Sequence, residues 1–180
     1  MLVQNLANRI TFARIVLTPI FFILLMSDFQ YRQWFAASAF ALIALSDGLD
    51  GYFARAYNQV TNLGKNLDPL ADKLVVIAAL VALVQVASLP VWVAALIIGR
   101  EIAVSILRLM ANRKNIAISA SSLGKAKTFF QVIAIFFWIF NVDGSLAIIN
   151  QISWILIVVA VILSFVSAFN YFAKFREIWT

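Results

Sequence analysis

SDGLDGYFARAYNQVTNLGKNLDPLADK, residues 46–73, carries four of the chain's eight acidic residues: Asp47, Asp50, Asp68 and Asp72. Apolar sequence flanks it on both sides, SAFALIAL over 38–45 and LVVIAALVALV over 74–84. Asp47 and Asp50 are three apart, and Asp68 and Asp72 are four apart, so each pair lies on one face of a helix. A polar stretch, 56–67, separates the two pairs and is read as a loop. The expected result is an antiparallel helical hairpin with four carboxylates converging near one end. A carboxylate at membrane depth costs about 2.5–3.5 kcal/mol on insertion scales, so acids in such a setting are functional candidates. Four together repel one another unless a cation sits among them.

The rest of the chain makes a membrane setting the natural one. Of 180 residues, 64% are hydrophobic and 12% charged, where soluble domains carry about 25% charged residues. The length allows one domain over residues 1–180. An all-α polytopic membrane protein is expected, with six spans at approximately 10–27, 34–55, 69–88, 90–111, 126–142 and 147–172. Lys and Arg gather at alternate ends of these spans. The 88–90 and 141–146 turns hold none, and Arg32 stands alone on its side. The positive-inside rule then puts both termini in the cytoplasm, with the acids on the cytoplasmic side. Arg14 interrupts the first apolar stretch, which argues against a cleaved signal peptide. Leu2, Val3 and Leu6 suggest a short interfacial helix over 2–8.

The net charge of +6 suits anionic head groups and membrane orientation rather than nucleic acid, because the basic residues cluster between apolar stretches. There is no Cys and no His. Any metal must therefore take oxygen ligands, as magnesium, manganese or calcium do. A carboxylate must also serve wherever a general base is needed. Gly48, Gly51 and Ala54 border the acids, and Gly64 lies between the pairs. They serve either close helix packing or close approach of a ligand to the backbone, with Gly51 beside Asp50 favouring the ligand. Arg55 reads as a cationic helix end or a phosphate ligand.

Further along, GREIAVSILR (99–108) places Arg100, Glu101 and Arg108 in an apolar stretch. Arg100 either pairs with Glu101 or the aspartates, or faces a cavity to hold phosphate, and Glu101 can orient it in doing so. SSLGKAKTFFQ (121–131) puts Lys125, Lys127 and Thr128 at a helix start, a setting suited to an anion. Lys127 reads as a positive-inside anchor. Lys125 and Thr128, three apart, would join Arg100 and Arg108 in a pocket for an anionic acceptor. Asn8, Thr11 and Arg14, each three apart, either cap a nucleotide site or are interfacial polar residues.

The aspartate pattern, D-x2-D-G-x2-A-R-x8-G-x3-D-x3-D, comprises Asp47, Asp50, Gly51, Ala54, Arg55, Gly64, Asp68 and Asp72. It resembles the signature of the CDP-alcohol phosphotransferases at all eight positions, and the six-helix layout is similar to that family too. The resemblance implies two divalent cations, Mg or Mn, held by the four aspartates. It implies CDP binding beside Gly51, Ala54, Arg55 and Gly64, with Asn8 nearby. It further implies that Asp72 is the base for the acceptor hydroxyl, and that the protein is a homodimer.

The outer motifs are N-x2-T-x2-R (Asn8, Thr11, Arg14), DPLADK (68–73), GRE (99–101) and GKAKT (124–128). They resemble the branch that makes phosphatidylglycerophosphate from CDP-diacylglycerol and glycerol 3-phosphate, although Ala7 stands where that branch carries proline. The resemblance implies a bacterial inner-membrane enzyme of phospholipid biosynthesis, its active site facing the cytoplasm among membrane lipids. Inositol phosphate, serine or phosphatidylglycerol as acceptor is the alternative within the family. An ion-coupled transporter is the alternative outside it, disfavoured because the acids lie near one side of the membrane.

Overall fold

The structure, a computed structural model, describes residues 6–56, 62–87, 89–113 and 122–176; the side chains of 6–10, 47–56, 62–70, 108, 112–113, 122, 170–171 and 173–176 lie outside that description. Among the described residues the fold is all-helical: α1 (Leu6–Met26), α2 (Arg32–Ala56), α3 (Asn62–Val86), α4 (Val91–Arg113), α5 (Ser122–Phe140) and α6 (Ala147–Arg176). Two segments, Leu123–Phe140 in α5 and Ala147–Phe169 in α6, are long and apolar enough to cross a membrane. The outer surface is apolar to match: Phe12, Ile23, Leu42, Ile148 and Phe169 are among many large hydrophobic side chains left exposed. Water would penalise such a surface, and lipid does not.

Several helices begin or end beyond the apolar spans expected from hydropathy. α3 starts at Asn62, so Gly64 is helical rather than part of a 56–67 loop, and Asp68 lies inside the helix rather than at its opening. α4 runs to Arg113 and α5 begins at Ser122, which makes Lys125 helical as well. Leu6–Asn8 belong to α1 rather than to a separate interfacial helix, whose remaining residues lie outside the described ones. The cause is common to all three. Hydropathy measures the lipid-matched part of a helix, whereas polar residues such as Asn62 and Lys65 extend the same helix into the head-group region at little cost.

The helices close into a ring. α1 packs on α2 and α3, α2 on α5, α5 on α6, α6 on α4, and α4 on α3, with α3 also touching α5 across the middle. The hydrophobic core joins Phe21 and Leu25 of α1, Phe40 and Ile43 of α2, Ala79, Leu80 and Leu83 of α3, Ile97 of α4, Ile135 and Ile139 of α5, and Ile157 of α6. Buried alanines let these helices approach closely. Ala79 is fully buried, so Ala79→Leu is expected to overpack the centre and cost about 1–3 kcal/mol, seen as a lower unfolding temperature in detergent.

One end of the bundle is closed by its turns. Arg32, after the α1–α2 turn, reaches Asp143 of the α5–α6 turn at 3.1 Å and Asp28 at 3.3 Å. Trp138 Nε1 donates to Ala87 O, beyond α3, at 3.3 Å. In the α5–α6 turn Gly144 sits at φ 68°, a conformation glycine adopts without strain. The buried Asn141 side chain accepts from Leu146 N and donates to Leu146 O, both at 3.0 Å.

Polarity along the inward stripes locates the other end. The buried residues of α1 are Thr11, Arg14, Thr18, Phe21 and Leu25, spaced three and four apart. Those of α5 run Lys127, Gln131, Ala134, Ile135, Trp138 and Ile139. In each helix the buried stripe is polar at one end and apolar towards the closed end. The interior therefore offers an anhydrous core at one level and a polar chamber at the other.

Candidate active site

Arg14 is the largest polar side chain in that chamber. It is 2% exposed, and its guanidinium donates across from α1 to the carboxylate of Asp72 on α3. Thr18, one turn on, donates its hydroxyl to Arg14 O at 2.7 Å, beside Pro19 within the same helix. The pair is asymmetric: the Asp72 side chain is 42% exposed. The arginine is dry while the carboxylate keeps an open side. That side faces a small cavity of about 80 Å³, bordered by Arg14, Asp72, Phe40, Ile43, Ala44, Val75, Val76, Thr128 and Val132. Four helices, α1, α2, α3 and α5, thus contribute to one opening.

Beside it lies a second polar group. Lys127 of α5 donates to Glu101 Oε1 of α4, and Arg100 Nη1 stands 3.6 Å from the same oxygen. Arg100 Nε donates to Ser164 O of α6 at 3.1 Å. The three side chains are 4%, 15% and 9% exposed for Lys127, Glu101 and Arg100, so the cluster is nearly dry.

Each sequence expectation can now be placed. Asp72 and Thr128 share the cavity. Lys125 and Thr128 are exposed on α5, where the Thr128 hydroxyl donates to Gly124 O at 3.0 Å. Arg100 is drawn into the Glu101 cluster rather than into the Asp72 cavity. Asp47, Asp50, Gly51, Ala54 and Arg55 are carried on α2, and Gly64 and Asp68 on α3. Asn8 lies on α1 and Arg108 on α4, and the side chains of all these residues lie outside the described ones.

One alternative is decided and one reading needs correction. Thr11 and Arg14 are 1% and 2% exposed, so of the two alternatives offered for them the interfacial one falls. Lys127, at 3% exposed, is a buried ion-pair partner and not a positive-inside anchor. What the sequence reading did not supply is the cross-helix pairing of Arg14 with Asp72 and of Lys127 with Glu101. A signal existed for each, since a charge inside an apolar stretch is costly and implies a partner. The partner, however, sits on another helix.

A half-exposed carboxylate held by a dry arginine is a group able to accept a proton from a neighbouring hydroxyl. Cations gathered nearby suit a substrate bearing phosphate. An apolar outer surface around a polar, charge-lined interior is the arrangement of a membrane-embedded enzyme that handles a phosphate-bearing substrate. The chain belongs to the CDP-alcohol phosphatidyltransferase family, whose model matches residues 4–166. It is 39% identical over 182 residues to the CDP-diacylglycerol–glycerol-3-phosphate 3-phosphatidyltransferase of Bacillus subtilis (strain 168), covering 94% of each chain. A protein of the same name from Rickettsia bellii (strain RML369-C) is 33% identical over 175 residues, covering 97% of each. One from Pseudomonas fluorescens is 49% identical over 108 residues, 58% of this chain and 55% of that relative.

Proposed function

We propose that this enzyme transfers the phosphatidyl group of CDP-diacylglycerol to glycerol 3-phosphate, forming phosphatidylglycerophosphate and releasing CMP. The observation that carries the chemistry is Asp72, held by Arg14 and open to the cavity that Thr128 also borders. The acceptor assignment is supported by the names of relatives that match nearly the whole chain.

The reaction is a single in-line displacement. The acceptor hydroxyl oxygen attacks the β-phosphorus of the CDP-lipid, the bond from that phosphorus to the bridging oxygen of CMP breaks, and CMP leaves with the electron pair. The hydroxyl proton passes to the Asp72 carboxylate, which Arg14 keeps turned to the cavity. Gly51, Ala54, Arg55, Gly64 and Asn8 hold the CDP moiety. Arg100, Arg108, Lys125 and Thr128 receive the acceptor phosphate.

The donor set fits a hard divalent cation: with no Cys or His in the chain, the acids supply oxygen, and the one described among them, Asp72, is partly open. The 4-3 spacing of the buried Ala36, Phe40 and Ile43 continues in the sequence to Asp47 and Asp50. Asp47, Asp50, Asp68 and Asp72 would hold two divalent cations, magnesium or manganese, which when bound offset the charge growing on departing CMP.

The distribution of Lys and Arg supports six spans with both termini and the active site on the cytoplasmic side of a bacterial inner membrane. The protein works there as a homodimer. The test is CMP release by purified protein in detergent with CDP-diacylglycerol, magnesium or manganese, and glycerol 3-phosphate, inositol phosphate, inositol, serine or phosphatidylglycerol in parallel. Release is expected with glycerol 3-phosphate and is expected to stop when the metal is chelated. Release with a different acceptor would replace the substrate.

A further inference from the structure

Glu101 is the one acidic residue of α4. α4 packs against α3 and α6, yet the Glu101 carboxylate reaches across to Lys127 on α5, and the same oxygen lies 3.6 Å from Arg100. Arg100 is anchored on its far side by Ser164 O of α6. One carboxylate oxygen thus gathers cations from two helices and ties a third to them. The positive charge of Lys73 on α3 also bears on Lys127.

Arg100 and Lys127 thus share one carboxylate in a nearly dry cluster, and two cations held close together suit an anionic group. Lys127 and Lys73 are the chain neighbours of Thr128 and Asp72, which both border that cavity, so the cluster sits at the same level of the bundle. Without the carboxylate, Arg100 and Lys127 would repel each other and lose their common anchor.

We propose that Glu101 is a positioning residue for acceptor recognition, holding the Lys127 ammonium and the Arg100 guanidinium in the arrangement that an anionic acceptor meets. This rests on the reading that the acceptor carries a phosphate. A glutamine at 101 keeps the shape and loses the charge. An aspartate keeps the charge and loses one methylene of reach. The charge-swapped double variant E101K/K127E keeps a bridge between α4 and α5 but moves the ammonium to the wrong helix.

The experiment measures CMP release against each substrate for the wild type and the three variants, with thermal unfolding in detergent as the check on folding. E101Q and E101D are expected to raise the KM for glycerol 3-phosphate about tenfold or more while the KM for CDP-diacylglycerol stays within about twofold. E101K/K127E is expected to recover thermal stability without recovering the acceptor KM. An unchanged acceptor KM in E101Q overturns the proposal. So does a parallel rise in both KM values, or a swap that restores the acceptor KM, since a plain structural bridge would behave that way. If E101Q does not survive purification, E101D decides on the same criteria. Wild-type turnover with another alcohol overturns the acceptor assigned above, and Glu101 is then judged by the same comparison on that alcohol.

Discussion

Asp72→Asn is expected to reduce metal-dependent CMP release by about a thousandfold or more while leaving the bundle folded. General-base catalysis contributes about a hundredfold to ten-thousandfold, and a carboxylate that also serves as a metal ligand adds to that loss. Asparagine has the same shape, and its Oδ1 still accepts from the Arg14 guanidinium that now donates to Asp72. The buried cation therefore keeps an acceptor on α3. The measurement pairs CMP release with thermal unfolding and size-exclusion chromatography of the same preparation. Near-wild-type turnover would remove Asp72 from the proton's path. Lost turnover together with lost folding would make it a structural residue.

Arg14→Met is expected to act on both rate and stability. Breaking a fully buried ion pair costs about 3–5 kcal/mol, but the Asp72 side chain is 42% exposed, so its charge stays partly hydrated and about 1–3 kcal/mol is the better expectation. The rate is expected to fall about tenfold to a hundredfold, because a carboxylate that has lost its anchor spends less time aimed at the acceptor. Arg14→Lys keeps the charge without the planar fork and should fall between the two. Thermal unfolding and CMP release in the same detergent separate these effects. A methionine variant with normal turnover would mean that Arg14 does not hold Asp72 in its working position.

The candidate residues were legible because their signals are local. Asp47 with Asp50, and Asp68 with Asp72, declare a shared face by spacing alone, and an acid in apolar sequence declares a cost that needs a reason. Arg100 and Lys127 were each legible as charges in apolar sequence, but the pocket expected from Arg100, Arg108, Lys125 and Thr128 differs from the observed group, where Arg100 meets Lys127 at Glu101. What spacing did not supply was the partner. Arg14 read as an interruption of an apolar stretch, and its carboxylate lies 58 positions away on α3. Lys127 and Glu101 are 26 positions apart on helices whose backbones pack against other neighbours.

Sequence by itself determined the membrane setting, the helical class and the family signature, since each follows from composition, from a period of three to four residues or from the spacing of the acids. It also set the polar level of the interior, as the change from Thr11, Arg14 and Thr18 to Phe21 and Leu25 along α1 shows. Tertiary structure decided which charge meets which. The ring order α1–α2–α5–α6–α4–α3 brings Arg14 to Asp72 and carries Glu101 to Lys127. That order arises from how side chains on different helices fit together and from where buried charges find counter-charges. Neither is a property of any one stretch of chain.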